Sequence, residues 1–488
     1  MTITIDEMAA FCKKKGIVYP SAEIYGGLSG FYDYGPLGVE LKRNLENELW
    51  KRFVRSRPDV VGIDGAIITN PAVWKASGHA DCFGDILVEC KKCKQRFRGD
   101  HLIEDTLKIR ADGISKEEIN KKVSENKIRC PNCKGELGEA RQFNLMFETN
   151  VGPVGGNTAY LRPETAQLIF ADFRLVQENA RMKLPFGIAQ VGKAFRNEIS
   201  PRDFMFRCRE FEQFEIEFFI HPKKADDCDI KSIEKLEINA LLEGKKEQAK
   251  TTIKELVSKK VMSKWHAHWI AEFYKFFLDL GIKKENLRIR QHVKDELAHY
   301  AKACFDIEYK FPFGWKEIHG SADRQQFDLT QHSKFSTKDL SIFDEETKEK
   351  VIPCVIEPSQ GIGRAMLAFL YDAYNDDKER GNIILKLNPK LSPTKIGIFP
   401  LVGNKPEIVE IAKKIFNELK NDISCQYDQS GSVGRRYARA DEIGTPFCIT
   451  VDFDSIDDKS VTIRDRNTTK QERVKIADLK KKITSLLI

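Results

Sequence analysis

Arg196, Asn197 and Glu198 close one apolar run of the chain, and Arg207, Arg209 and Phe211 open the next. Arginine offers a planar fork of donors suited to phosphate oxygens, a carboxylate accepts from an exocyclic amine, and a phenyl ring gives a base a flat face. Together these groups suit ATP. A salt-bridged hairpin loop at a solvated sheet edge explains the same residues. A second cluster shifts the balance towards a ligand. Glu357-Pro358-Ser359-Gln360-Gly361-Ile362-Gly363-Arg364 reads as a strand end, a glycine turn and an arginine at a helix start. Glycines there admit close approach of the backbone to a ligand, and a helix N-terminus favours anions. An ordinary strand-to-helix turn with an exposed arginine is the plainer reading. Neither GxxxxGK[ST] nor GxGxxG on a strand-helix unit surrounds this segment, so it is not a Walker loop or a dinucleotide fingerprint.

Cys90-Lys91-Lys92-Cys93 and Cys130-Pro131-Asn132-Cys133 are two CxxC knuckles able to present four thiolates tetrahedrally to zinc. The intervening residues 94–129 are longer than the roughly 15–20 of a usual ribbon, and the run IEDTLKIRADGISKEEINKKVSENK suits a charged helical excursion. The competing reading is two unrelated pairs of free thiols in a Lys-rich surface segment. Four sulfur ligands leave no open position, so the role expected of such a zinc is structural. His79, His299 and His319 stand apart without paired metal spacing, which points to structural or surface roles.

The elements that must position these groups follow from periodicity. FGIAQVGKAF and FEQFEIEFFI, joined by a polar stretch with Pro201, predict an antiparallel hairpin over 185–221. Leu41, Leu45, Leu49 and Phe53 recur at intervals of four behind Pro36, one apolar stripe of a helix that faces either its own core or a second subunit. Residues 222–300 are Lys/Glu-rich with helical spacing, and Trp265, Trp269, Phe273 and Phe276 mark a buried stripe, which predicts a helical insertion. Strands are expected over 313–332 and 351–358, and GIGRAMLAFLYDAY starts a helix. After Pro393 strands and helices alternate, with a helix over Pro406–Lys420 and another around Arg435, which argues for a separate α/β domain.

The chain has 488 residues, and 80 Lys plus Arg against 73 Asp plus Glu leave a net charge of +7. That length suggests two to four domains, at roughly 100–200 residues each, and excludes a disulfide-stapled miniprotein. No apolar span of about 18 residues predicts a membrane helix, and the N-terminus has no apolar signal core. A cytoplasmic protein is therefore expected, with Cys12, Cys354 and Cys448 as reduced core residues. The mild positive charge permits a polyanionic partner without demanding one.

Longer motifs extend this reading. GGLSGFYDYGPLGVELKRNLENELW, FRNEISPRDFMFRCREFEQFEIEFF and EPSQGIGRAMLAFL resemble, in order, the three class motifs of the class II aminoacyl-tRNA synthetases. YLRPETAQLIF, LRIRQHVKDELAHYAKACFDIEYKFPFGWKEIHGSADR and RRYARADEIGTPFCITVD are similar to signatures of the homodimeric glycyl-tRNA synthetases, so the likeness covers nearly the whole chain. Phe214, Ser321 and the charged insertions at 100–128 and 222–262 depart from the pattern.

The resemblance implies an α+β fold, with an antiparallel sheet of six to seven strands flanked by helices. The catalytic domain would be formed by 1–89 with the first motif, 134–221 with the second and 301–388 with the third. Interrupting it are a zinc-ribbon-like insertion at 90–133 and a helical one at 222–300, and an α/β anticodon-binding domain follows at 393–488. By the same resemblance Arg196, Arg364 and Glu317 are catalytic. Arg196 would hold the α-phosphate and the glycine carboxylate, Glu198 would accept from the adenine amino group, and Phe211 and Arg364 would sandwich the ring. Arg207 and Arg364 would reach the γ-phosphate, with Asn197, Phe206, Cys208 and Ile318 completing the ATP contacts. Glu317, Glu357 and Ser359 would lie where the family binds Mg²⁺ or substrate. Arg98, Glu164, Glu215, Glu357, Pro358, Ser359 and Gly361 would surround the amino acid, and Cys90, Cys93, Cys130 and Cys133 would hold a structural Zn²⁺.

The implied reaction joins glycine to the 3′ end of its tRNA through an adenylate, in a C2 homodimer, with Arg435, Arg436 and Arg439 offered to tRNA phosphates or bases. A non-catalytic nucleic-acid-binding protein with a synthetase-like fold is the alternative. A zinc-ribbon adaptor explains only residues 90–133.

Overall fold

The computed structural model describes residues 3–109, 111, 114–153, 156–298 and 300–487, and of Cys82 the backbone alone. His299, one of the isolated histidines, lies outside the described residues. Nine strands build the main sheet: β1 (Val60–Ile63), β2 (Phe186–Phe195), β3 (Glu210–Ile220), β4 (Glu237–Leu241), β5 (Ala249–Thr252), β6 (Leu287–Gln291), β7 (Ala303–Phe311), β8 (Gly314–Gln325) and β9 (Cys354–Gly361). Their spatial order is β5-β4-β6-β7-β8-β9-β3-β2-β1. The six strands from β6 to β2 are antiparallel throughout, while β1 joins β2 and β4 joins β6 in parallel. The sheet is thus wider and more mixed than the six to seven antiparallel strands expected.

The period of two in β3 sets the two faces of the sheet. Phe214, Ile216 and Phe218 point into the largest apolar cluster, and Glu215 and Glu217 alternate with them on the opposite face. Helix α1 (Pro36–Trp50), helix α2 (Lys264–Asp279) and helix α3 (Ile362–Ala373) supply the other half of that cluster. Phe218 packs on Trp265 and Trp269 with ring centroids 4.8 and 5.1 Å apart, and Phe273 stacks on Phe53 at 4.1 Å. Leu41, Leu45, Leu49 and Phe53 are all buried here, so their stripe faces its own core. A Cβ at Gly38 of α1 would sit 1.8 Å from the Ile17 carbonyl oxygen, so the close approach of the segment before Val18 to α1 requires glycine.

Two regions differ from the sequence reading. Residues 222–300 are not helical alone, because β4, β5 and β6 extend the sheet at one edge. Their short alternating runs are hidden among lysines and glutamates that face solvent. Of the residues expected as strand over 313–332, β8 ends at Gln325 and a helix spans Phe327–Ser336.

The knuckle cysteines belong to a small module in which Gly84–Glu89 pairs with Arg96–Arg98 on one side and Arg141–Asn144 on the other. The excursion between the knuckles forms helices at Gly99–Leu107 and Lys116–Glu125, the second opened by a capping box between Ser115 and Glu118. Val88, Leu102, Ile103 and Ile119 make its own apolar core. The module therefore reaches from 84 to 144, beyond the cysteines themselves.

The C-terminal unit has five strands, β10 (Ile396–Pro400), β11 (Cys425–Tyr427), β12 (Phe447–Val451), β13 (Ser460–Asp465) and β14 (Gln471–Lys475), in the order β11-β10-β12-β13-β14. Its core is separate from that of the main sheet. Arg436 is not available to a nucleic acid as expected. It is buried, with Nη1 donating to the Pro400 carbonyl and Nη2 to those of Leu401 and Gly431. Arg439 pairs with Asp428 at 2.5 Å, and Arg435 stays exposed. Asp441 turns instead to Arg464 at 2.8 Å, and Glu442 to Lys15. Cys12, Cys354 and Cys448 are buried free thiols, as expected. No helix among the described residues is long and apolar enough to cross a membrane.

Candidate active site

A cavity of about 260 Å³ opens on the face of the sheet that carries Glu215. Both arginine-bearing segments reach it. The hairpin β2–β3 contributes Arg196, Glu198, Phe206, Arg207, Cys208 and Phe211, and the turn from β9 into α3 contributes Gly361 and Arg364. The Arg196 guanidinium lies 5.2 Å from the Phe211 ring centre, with Nε donating to the Pro163 carbonyl at 3.0 Å. Arg364 lies 4.6 Å over Phe206 and pairs with Glu317 at 2.8 Å. Burial works to raise the Glu317 carboxyl, but Arg364 and His292 outweigh it and hold the group below the usual carboxylate range. Arg207 donates from Nε at 2.8 Å and Nη2 at 2.7 Å to Glu198 Oε2. Burial pushes the Cys208 thiol up to about 12 and keeps it protonated.

The other end of the cavity is acidic. Glu215 and Ser359 are register partners on β3 and β9, and Ser359 pairs on its other side with Gly320 of β8. Glu215 accepts from Gln213 Nε2 at 2.9 Å and Ser359 Oγ at 2.8 Å on one oxygen, and from the Thr165 amide and hydroxyl on the other. Burial and then the Glu164 charge raise its pKa, and those donors oppose the rise. Glu357 is pushed up to about 8, chiefly by burial, although Arg324 Nη1 donates to it at 2.9 Å. Glu164 moves the other way. Burial would raise it, but His79 Nε2 at 3.2 Å and the Arg324 charge hold it far below the ordinary range.

Four expected contacts are not in the cavity wall. Ile318 buries its side chain in the core and presents its carbonyl to Gln360 at 2.6 Å. Pro358 is buried within β9, and the Asn197 amide donates to the Leu145 carbonyl at 2.7 Å. Arg98 stands one step back: it pairs with Asp85 at 3.0 Å, and Asp85 lies 3.6 Å from Arg207. That chain couples the cysteine module to the hairpin.

Sequence reasoning missed the layer behind the cavity. Arg324 donates to Asp328 from Nε at 2.7 Å and to Glu357, while Gln167 Nε2 donates to Glu164 at 2.9 Å and Asp328 at 3.0 Å. The charged residues in LRPETAQLIF and HGSADR, within otherwise buried runs, were the available signal. His79 is the orienting partner of Glu164, and His319 is a core residue stacked on Phe273 at 4.0 Å.

Residues 154–373 match the tRNA synthetase class II core domain (G, H, P, S and T), and residues 395–486 match the anticodon binding domain. The glycine–tRNA ligase of Clostridium kluyveri is 46% identical, over 98% of this chain and 97% of its own length. That of Ruminiclostridium cellulolyticum is also 46% identical over 98% of this chain and 97% of its own, and that of Caldanaerobacter subterraneus 45% over the same shares. The chain belongs to the glycine–tRNA ligase family. A prolyl-tRNA synthetase from Cryptosporidium parvum, solved with L-proline and AMP, superposes with a TM-score of 0.58 at 14% identity, covering 99% of this chain and 75% of that one, a likeness of fold. For a member of the glycine–tRNA ligase family, the class II synthetase core accounts for the antiparallel centre of the sheet, and the anticodon binding domain for β10–β14.

The four knuckle sulfurs of this family member lie within 4.8 Å of one another, with Cys90–Cys133 at 3.5 Å and Cys93–Cys130 at 3.6 Å. A Zn–S bond of about 2.3 Å requires a tetrahedral edge of about 3.8 Å, so the set fits zinc.

Proposed function

We propose that this chain activates glycine with ATP to glycyl-adenylate and then transfers the glycyl group to the 3′ end of its tRNA. The observation that carries the reading is the meeting of Arg196, Arg207 and Arg364, from two distant segments, with Glu215, Glu357 and Ser359 in one cavity. In the first step the glycine carboxylate attacks the α-phosphorus in line and pyrophosphate leaves. A carboxylate is already a nucleophile, so no general base is required. The protein must hold two mutually repelling anions together and offset charge growing on the phosphoryl oxygens.

Arg196, fixed by the Pro163 carbonyl and the Phe211 ring, is placed for the α-phosphate and the glycine carboxylate. Arg207 and Arg364 are placed for the outer phosphates, and Glu198 with Phe211 for the adenine. Glu317 and Glu357 present hard oxygen donors suited to Mg²⁺, which supplies charge neutralisation on the phosphates when bound. In the second step the terminal ribose hydroxyl of tRNA attacks the adenylate carbonyl and AMP leaves.

Glycine has no side chain to grip, so selection works by exclusion. Glu164 and Glu215 are placed for the ammonium, and the wall at Ser359 would meet the Cβ of any larger amino acid. Clashes discriminate more strongly than the roughly 1–3 kcal/mol of a single methylene.

The same proposal includes a structural Zn²⁺ on Cys90, Cys93, Cys130 and Cys133, a C2 homodimer with its contact outside the buried Leu41 stripe, and a cytoplasmic location, supported by the free thiols among the described cysteines. A non-catalytic relative has no reason to keep Arg196, Glu198, Phe211, Glu317 and Arg364 around one cavity, which favours the enzyme. Amino-acid-dependent ATP–pyrophosphate exchange, screened over the standard amino acids, tests the reading. Exchange with glycine alone supports it, and exchange with another amino acid in its place overturns it.

A further inference from the structure

The cavity has a third group of side chains, which touches the chemistry above only where His292 faces Glu317. Cys304 and Asp306 are two apart on β7 and so share a face, and the amide of His292 donates to the Cys304 carbonyl at 3.0 Å, which puts the histidine directly across from the cysteine. One nitrogen, one sulfur and one carboxylate oxygen of this trio lie within 4.8 Å of one another, and all three residues line the cavity. On the other side of β7 the register opposes Ala322 to Cys304 and Gly320 to Asp306, so small residues keep the space above the trio open. Asp306 is buried, and the charged groups around it are His292, Arg290 at 3.8 Å, Glu308 and Glu317; a Cβ at Gly320 would lie 3.5 Å from Glu317 Oε1 and 3.7 Å from Asp306 Oδ1, so both carboxylates border the same space.

We propose that His292, Cys304 and Asp306 form a second divalent-metal site, for zinc or an ion of similar softness, with its remaining coordination open to the cavity. The donor set argues for this class. Sulfur, imidazole and carboxylate together select zinc or cobalt, whereas Mg²⁺ takes oxygen alone, so the site is distinct from any Mg²⁺ carried by ATP. Three protein ligands with an open position separate it equally from the closed set of four cysteines.

The simpler arrangement is already visible: His292 Nε2 and Asp306 Oδ2 are 2.6 Å apart, a bonded pair. Metal–nitrogen and metal–oxygen bonds of about 2.0–2.2 Å need a tetrahedral edge of about 3.4 Å, so loading opens this pair by under about 1 Å. On binding, the Cys304 thiol loses its proton to solvent, the metal takes the thiolate and the imidazole nitrogen, and the His292–Asp306 contact is exchanged for two metal bonds. The inference does not rest on the proposed reaction.

Cobalt(II) titration of the full chain after removal of bound metal tests it. The thiolate-to-cobalt charge-transfer band of the wild-type chain is expected to keep growing beyond the first equivalent, with two equivalents held after gel filtration. Cys304→Ala and His292→Gln are each expected to hold one equivalent fewer than the wild type at unchanged helical content. If Cys304→Ala holds as many equivalents as the wild type and gives the same band, the site is not there. Should Cys304→Ala lose its helical content, the His292→Gln comparison decides in the same way.

Discussion

Glu215 and Ser359 face each other across β3 and β9, and the serine hydroxyl donates to the glutamate at 2.8 Å. One carboxylate oxygen takes this bond and that of Gln213, the other takes both donors of Thr165, so the position of Glu215 is set from three segments of the chain.

Replacing Glu215 by alanine removes the centre of that arrangement. Glycine-dependent ATP–pyrophosphate exchange should be abolished, with the hairpin still folded by circular dichroism. Normal exchange in Glu215→Ala would take Glu215 out of the site.

Arg196 is held by one backbone carbonyl and the rings of Phe83 and Phe211, so little of the fold depends on its charge. Arg196→Ala should lower the kcat of exchange by roughly 10²–10³-fold, as loss of one preorganised donor does, with Tm nearly unchanged. Single-turnover adenylate formation is the measurement, and a large fall in Tm with normal kcat would reverse the assignment.

His79 acts through Glu164. In His79→Ala the carboxylate loses the imidazole 3.2 Å from it, and KM for glycine should rise on the order of tenfold while KM for ATP stays constant. Equal changes in both would point to a general loss of structure.

The buried acids predict a pH dependence of stability. Glu357 has its folded-state pKa raised to about 8, so its stabilisation is complete below the unfolded carboxylate pKa and is lost as pH rises through the folded value. Glu215 and Glu217 are raised as well and act in the same direction. Glu164 is lowered and contributes only above its unfolded pKa. The urea midpoint should therefore fall between about pH 5 and about pH 9, and Glu357→Gln should reduce that fall. A wild-type midpoint independent of pH over this window would contradict it.

Zinc binding by the knuckles would be folding energy for the module from 84 to 144, as it is in small zinc domains. Cys130→Ala should abolish metal retention and expose this segment to protease. Through Arg98, Asp85 and Arg207 it should also slow exchange. A module that resists protease without metal would leave the cysteines as ordinary thiols.

Much of this was legible because strand and helix periods are local. The alternation in FEQFEIEFFI already separated Phe214, Ile216 and Phe218 from Glu215 and Glu217, and the four-residue spacing of Leu41, Leu45 and Leu49 marked α1. What periodicity cannot give is a partner in another segment. His79 with Glu164, and Arg324 with Asp328 and Glu357, are contacts fixed by the closing of the sheet. The strands β4 and β5 carry little signal because each is short and half solvated, where a strand's pattern fades into that of a charged loop.

The last strand of the main sheet to leave the ribosome, β9, is also the one wedged between β3 and β8. Until it emerges the nascent polypeptide carries two open strand edges and an unfinished catalytic floor, a state that invites mispairing with other chains. Catalytic competence must therefore arrive late and abruptly during translation, and truncated products ending before β9 should be clients of chaperones.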